Sequence, residues 1–123
     1  MQISKKGVDK KIEKRIFKAL YQALADFKTP TQIENFLDDV LSETERMVLA
    51  KRLGIAYCLS RNLSYEKIRE DLKVSSATIA SVQKWLEQGG EGLSLALKTI
   101  EAEEWAGEMT AKIVKKVKRI FKN

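Results

Sequence analysis

The 123-residue sequence predicts an all-α protein, and three observations support this fold class. One proline and six glycines interrupt a chain rich in Lys, Glu, Leu and Ala, which are residue types that favour helix. Apolar residues recur three or four positions apart along most of the chain, the spacing that places them on one face of a helix. Serines and threonines stand directly before several of these runs, where their hydroxyls can cap a helix.

The first two predicted helices lie on either side of a break near Lys28. The first helix is expected from Val8 to about Phe27, with lysines on the face opposite an apolar stripe. That stripe comprises Ile12, Ile16, Leu20, Leu24 and Phe27. The second helix is expected from Thr29-Pro30 to about Leu41, because threonine is a capping residue and proline fits the first helical position.

A third helix is predicted from the capping box Ser42-Glu43-Thr44-Glu45 to about Ser60. In such a box the hydroxyl and the glutamate three residues later each accept from the other's backbone N–H. Cys58 falls in this helix and is the chain's single cysteine, so no internal disulfide can form and a reducing compartment is expected. We interpret it as a small buried apolar residue.

The stretch from Ser64 to Leu86 predicts two short helices joined by a tight turn, and we place a helix-turn-helix at residues 64–87. Ser64 and Ser75 are the expected caps of the two helices. The break falls at Lys73-Val74, and Val74 is expected to fill the space between them. The buried stripes are Tyr65, Ile68 and Leu72 in the first helix, and Ile79, Val82 and Leu86 in the second.

The opposite face of the second helix has the character of a helix that enters a DNA major groove. Its side chains are small, polar or basic, and no acid precedes Glu87. Such a face is slim near its N-terminus and offers hydroxyls and a cation to bases and phosphates. The candidate DNA-contacting residues are Ser75, Ser76, Ala77, Thr78, Ser81, Gln83 and Lys84. The same spacing fits an ordinary helical hairpin in a bundle, and that alternative stays open.

Beyond the hairpin, three glycines at 89, 90 and 92 predict the end of the second helix. A short buried helix is expected over Leu93–Ile100, which closes a first domain of residues 1–100. Residues 101–123 are expected to form an extra amphipathic helix, acidic at its start and basic at its end, as suits the helix dipole. This C-terminal helix could pack on the core, pair with a second copy or reach a phosphate backbone.

The formal net charge of +6 and the pI of about 9.4 favour phosphate-rich partners. Residues 1–28 carry eight Lys/Arg and three acids, and residues 112–123 carry six Lys/Arg and no acid. The hairpin itself is close to neutral. Electrostatic attraction to DNA is therefore expected to come largely from the two ends of the chain.

Several functional classes find no support in the sequence. It contains no histidine, no cysteine cluster, no Gly-rich phosphate loop and no nucleophile elbow. We therefore expect no enzymatic activity, no metal and no cofactor. It contains no apolar run suited to a signal peptide or a membrane span, so we expect a cytoplasmic protein without a membrane partner.

Residues 36–98 resemble the Trp repressor superfamily, in particular its YerC/YecD type. The resemblance is carried by L-S-E-T-E-R at 41–46, A-K-R-L at 50–53, S-Y-E-K-I at 64–68, S-S-A-T-I at 75–79, and the glycine-bearing stretch before A-L at 96–97. It implies an intertwined homodimer whose two hairpins face successive major grooves. The implied function is a sequence-specific transcriptional regulator, namely a repressor, on a palindromic operator with half-sites about one helical turn apart.

The resemblance also implies where an effector would bind. In tryptophan-sensing members, the amino acid lies between an arginine of the long helix and an arginine of the recognition helix. Arg52 matches the first, but Ser81 occupies the second, so one guanidinium face for the indole is missing. We therefore do not expect a tryptophan corepressor, and Arg52 is left as a contact for another effector or a phosphate, or as the partner of an acid.

Two other functions stay open. The segments 41–53 and 63–79 also resemble the promoter-reading end of a sigma factor, which docks on polymerase as well as DNA. A near-neutral hairpin also fits a pure protein-interaction module. Such a module would show little affinity for duplex and no steep salt dependence.

Overall fold

The computed structural model describes residues 7–120, except for the side chains of residues 105–114. This part of the chain is built of six α-helices, and the predicted all-α class is confirmed. They are α1 (Lys10–Asp26), α2 (Pro30–Val40), α3 (Glu43–Ser60), α4 (Tyr65–Leu72), α5 (Ser76–Glu87) and α6 (Glu91–Ile120). None of them combines the length and apolar character that crossing a bilayer requires.

The predicted starts of α2 and α3 are confirmed by reciprocal caps. The Thr29 hydroxyl accepts from the backbone N–H of Gln32 at 3.3 Å, and the Gln32 side chain accepts from the N–H of Thr29 at 3.3 Å. Ser42 and Glu45 make the same pair of bonds, at 3.1 and 2.8 Å. The hydrogen bond from the backbone N–H of Ser42, followed by one with the Ser42 side chain, lowers the pKa of the Glu45 carboxyl, because both favour its charged form.

The region after the hairpin differs from the prediction. In place of a short helix ending near Ile100 and a second one from Glu101, the single helix α6 runs unbroken from Glu91 to Ile120. No glycine or proline lies between Gly92 and Gly107, and glutamates are good helix formers. The change of composition at residue 101 is therefore a change of charge and not a break in the backbone. A distinct role for residues 101–123 stays a proposal.

The chain divides into two compact units, with the boundary after Arg46. In the first unit, the rings of Phe27 and Phe36 are tilted against each other with centroids 5.4 Å apart. Arg46 forms an ion pair with Asp38 at 3.1 Å. Four members of the apolar stripe predicted on α1 are exposed, and Ile16 retains 54% of its accessible surface, whereas Phe27 is half-buried.

The second unit contains the buried core, and the core holds the predicted hairpin. Among the described side chains, its buried members come from four helices: Ile55 and Ala56 of α3, Ile68 of α4, Ile79 and Val82 of α5, and Leu97 of α6. The predicted inward residues Tyr65, Leu72, Val74 and Leu86 pack against this cluster. The buried side of the hairpin is thus packed against α3 and α6.

Because Ile68 is fully buried at the centre of this core, its truncation should leave a cavity. We expect Ile68→Ala to lower the free energy of unfolding by about 2–5 kcal/mol, and Ile68→Val by about 0.5–1.5 kcal/mol. Urea denaturation at one fixed protein concentration, followed by circular dichroism, measures both. An alanine variant as stable as the parent would show that α4 is not anchored through Ile68.

Candidate nucleic-acid interface

The first helix of the hairpin, α4, is fixed at both ends. Its N-cap Ser64 has extended backbone (φ −69°, ψ 154°), and its hydroxyl accepts from the N–H of Lys67 at 3.1 Å, as predicted. At the other end, Lys73 adopts the left-handed conformation (φ 53°, ψ 57°), and its N–H donates to the carbonyl of Arg69 at 3.0 Å. This left-handed residue reverses the chain and sets the angle between α4 and α5.

A lysine of α3 reinforces the turn. The Lys51 ammonium donates to the carbonyl of Lys73 at 3.2 Å. That carbonyl lies just beyond the end of α4, where backbone oxygens lack helical partners and cations are favoured. Val74 follows and is half-buried against the core, as predicted.

The second helix of the hairpin, α5, begins at the predicted cap. The Ser75 hydroxyl accepts from the N–H of Thr78 at 3.2 Å and lies 2.9 Å from the Thr78 hydroxyl oxygen. The first turn of α5 contains no acid, so no side chain there neutralises the positive end of the helix dipole. This end is therefore chemically suited to a phosphate oxygen.

Most of the predicted DNA-contacting side chains lie together on the exposed side of α5. Ala77, Ser81 and Lys84 follow one another at i, i+4 and i+7, which aligns them along one face. The exposed candidates are Ser75, Ser76, Ala77, Thr78, Ser81 and Lys84. The opposite side carries the fully buried Ile79 and Val82. The helix therefore presents a narrow polar face with one cation, backed by core.

Two further candidates also make hydrogen bonds within the chain. The Ser81 hydroxyl donates to the carbonyl of Ala77 at 3.1 Å, and it remains exposed. Gln83 is half-buried at the edge of the face, accepts from the Tyr65 hydroxyl and donates to Glu87 at 3.1 Å. The Gln83 amide thus joins α5 to α4, which gives it a role inside the hairpin whatever it touches outside.

Arg52, the candidate effector or phosphate contact, faces an indole of its own chain. Its guanidinium carbon lies 5.7 Å from the centroid of the Trp85 ring, within the range of a cation–π interaction. Trp85 retains 43% of its accessible surface, so one part of the indole remains open to solvent. The contact ties α3 to the last turn of α5.

Sequence reasoning missed Trp85 and Lys51 as parts of this site. Trp85 lies next to Lys84 and Leu86 in sequence, at the edge of the buried stripe, and its partner is 33 residues away. Lys51 resembles any other lysine on a solvated helix. Both contacts depend on how α3 crosses the hairpin, which local periodicity does not reveal.

Reactive side chains do not gather around this site. Across the part of the chain with described side chains, no three His, Cys, Asp or Glu residues are arranged to hold a metal. Cys58 is half-buried, and burial, followed by the charge of Asp71, raises the pKa of its thiol. A raised pKa disfavours the thiolate, which is the reactive form.

Comparisons with known proteins agree with this geometry. A family model described as the Trp repressor protein matches residues 15–101. The uncharacterised protein YerC of Bacillus subtilis is 29% identical over 85 residues, which cover 69% of this chain and 82% of YerC. The crystal structure of a candidate Trp repressor from Staphylococcus aureus superposes with a TM-score of 0.67 at 24% identity, covering 76% of this chain and 96% of the other. This last likeness concerns the fold.

The contact between Arg52 and Trp85 can be measured by a double-mutant cycle. We expect Arg52→Gln and Trp85→Leu to couple by about 0.5–1 kcal/mol in the free energy of unfolding, the range for an exposed cation–π pair. Urea titrations of the parent, both single variants and the double variant give the coupling. Strictly additive effects would mean that the guanidinium does not interact with the indole in solution.

Proposed function

The chain belongs to the Trp repressor family of DNA-binding regulators, and we propose that it binds a palindromic operator as a homodimer and represses transcription there. The observation that carries this proposal is the capped helix α5, whose exposed side is small, hydroxylated and basic while its other side is buried. A major groove admits one α-helix, and a helix held in this way can enter it. The family consists of regulators and not of enzymes.

In this proposal, different residues on the exposed face of α5 contact the bases and the phosphates of the duplex. Ser76, Ala77, Thr78 and Ser81 meet base edges, where hydroxyls accept or donate and the methyl of Ala77 contacts a thymine methyl. Lys84 reaches a guanine or a phosphate. Ser75 and the N–H groups of the first turn hold a phosphate and fix the register of the helix on the duplex. Gln83 contributes mainly by holding α5 against Tyr65.

The homodimer is supported by the apolar surface that the single chain leaves exposed. Large side chains of α1 and of the first half of α3 keep between about a third and more than half of their accessible surface, including Ile12, Ile16, Leu20, Met47 and Leu49. An exposed set of this size is typical of an interface. A two-fold dimer would present two α5 helices, and its operator would then be a palindrome with half-sites about one helical turn apart.

We further propose that operator binding does not need tryptophan. Ser81 stands where tryptophan-sensing members have an arginine, and Arg52, which matches their other arginine, already faces the Trp85 ring. Free tryptophan would therefore meet one guanidinium that has a partner and a position with no guanidinium at all. The regulator would act in the cytoplasm, which is also the compartment that the single cysteine favours.

The charge balance of the hairpin is also compatible with two other functions. Residues 64–87 carry four Lys/Arg and four Asp/Glu, so the hairpin has no net charge to attract DNA. A sigma-like protein that needs polymerase for stable binding, or a module that binds protein, would share this feature. The experiment that tests the proposal therefore includes polymerase as a separate arm.

The test is selection of binding sites from random duplex, carried out with the protein alone, with free tryptophan and with RNA polymerase. We expect a palindromic site to be enriched by the protein alone, and free tryptophan to leave the enriched sequence unchanged. Enrichment only in the presence of polymerase would favour the sigma-like function. No enrichment in any arm, with no salt-dependent affinity for duplex, would favour the protein-interaction module.

For Lys84, we expect Lys84→Ala to weaken binding to the selected operator by about 1–3 kcal/mol while changing affinity for random duplex much less, since a base contact is lost. Fluorescence anisotropy at one fixed salt concentration measures both affinities. Lys67→Ala is the matched control, because Lys67 is a cation of α4 that pairs with Asp71 at 3.3 Å. An unchanged ratio of the two affinities would remove Lys84 from base readout.

For the dimer, we expect Ile16→Glu to shift the protein from dimer to monomer, because a carboxylate would be buried in an apolar interface. Sedimentation velocity across a range of protein concentrations measures the change. Lys14→Glu on the basic side of α1 changes the charge in the same direction and should leave the dimer intact. A parent that sediments as a monomer at all concentrations would contradict the two-fold arrangement.

A further inference from the structure

Basic residues are concentrated at the end of α6 as well as in residues 1–28. Residues 112–123 contain six Lys/Arg and no acid, whereas the preceding 111 residues contain 17 Lys/Arg and 17 Asp/Glu. The net charge of +6 therefore equals the charge of the last twelve residues. A surface that serves only solubility carries positive and negative side chains side by side. A segment with cations alone therefore points to a specific function.

Within the described part of this segment, the cations share one side of the helix. They are Lys115, Lys116, Lys118 and Arg119, and all four are exposed. At 100° per residue they span an arc of about 160°, with Val117 and Ile120 on the other side. Like charges three and four residues apart destabilise a helix. This arrangement of cations therefore lowers the local stability of α6.

The helix dipole explains only part of this arrangement. Cations at the C-terminal end of a helix are stabilising, but the effect falls off within the last turn. Lys118 and Arg119 lie in that turn, while Lys115 and Lys116 lie before it. A stripe that continues inward from the last turn fits a binding surface for an extended polyanion better than a cap.

Before the basic segment begins, α6 is anchored through Glu104 to the unit that carries the hairpin. The Tyr57 hydroxyl donates to Glu104 at 2.7 Å, and Arg61 donates to the same Glu104 oxygen at 3.0 Å. The Arg61 guanidinium also lies 5.5 Å from the centroid of the Tyr57 ring. From Glu104, α6 continues for 15 residues to Arg119, a rise of about 22 Å. The four cations therefore stand well away from this anchor.

We propose that the exposed cations at the end of α6 form an arm that binds the phosphate backbone of duplex DNA without reading its sequence. This role of the arm rests on the proposed function, because a neutral hairpin that reads bases needs a separate source of phosphate affinity. The four cations and the uniform charge of the backbone are complementary. An anionic membrane is the less favoured partner, since among the described residues of this segment only Val117 and Ile120 provide apolar surface.

The arm is tested on a random-sequence duplex, so that the result does not depend on knowing the operator. The variant combines Lys115→Gln, Lys116→Gln, Lys118→Gln and Arg119→Gln, because glutamine keeps helix propensity and removes charge. If each cation neutralises one phosphate, the slope of log affinity against log salt should fall by about 3 to 4 per chain between roughly 50 and 200 mM salt. Circular dichroism verifies that the helix content is kept.

Two matched proteins control for net charge and for side-chain shape. Lys10→Gln, Lys11→Gln, Lys14→Gln and Lys18→Gln remove the same four charges from α1, and this variant should keep a steeper slope than the arm variant. Lys115→Arg, Lys116→Arg and Lys118→Arg should keep the parental slope. Equal losses in the α1 and α6 variants would show an effect of total charge and would overturn the proposal.

The remaining outcomes distinguish a failure of the arm proposal from a failure of the proposed operator binding. The arm variant should lose affinity for the selected operator and for random duplex in parallel, so that their ratio is kept. A parent that prefers its operator while the arm variant retains the full salt slope overturns the arm alone. A parent with no affinity for any duplex overturns both proposals. Loss of binding to phosphatidylglycerol vesicles, with duplex binding unchanged, would identify a membrane contact and overturn the arm as a DNA contact.

Discussion

The face of α5 that we propose contacts DNA depends on the burial of the other side of this helix. Ile79 and Val82 lose all solvent contact in a cluster with Ile68 of α4, Ile55 of α3 and Leu97 of α6. Burial of aliphatic side chains is the dominant favourable term in folding, and here it also fixes which way α5 faces. Because three other helices, α3, α4 and α6, hold the apolar side of α5 inward, its hydroxyls and its lysine face solvent.

Polar contacts refine the orientation that this burial sets. Lys51 and Arg52 are consecutive residues of α3, and they reach two parts of the hairpin, the turn carbonyl at Lys73 and the Trp85 ring. Gln83 and Tyr65 join the two hairpin helices directly. Each such contact is individually weak at a protein surface. Distributed along the hairpin, they restrain its rotation about the core in a way that nonspecific apolar packing does not.

Local signals in the sequence predict most of the helices and their caps. They do not predict contacts between residues that are distant in sequence. Ser64 and Ser75 cap as predicted, because a capping hydroxyl acts within three residues of its own position. The pairing of Arg52 with Trp85 was not predicted, since an acid or a phosphate was an equally good partner for an isolated arginine. The break predicted at residue 101 is wrong, because the change of charge at this position does not interrupt the helix. Five of the seven predicted contact residues also lie with exposed side chains on α5 itself, which follows from the periodicity of one helix.

The residues of α5 that stabilise the domain and those that face outward are almost entirely different sets. Ile79 and Val82 belong to the first set, and Ser76, Ala77, Ser81 and Lys84 belong to the second. Substitutions in the second set leave the interior untouched, so selection can alter them without first compensating for a loss of stability. A gene duplicate of this protein could thus acquire a new target by a few surface changes while inheriting its scaffold intact.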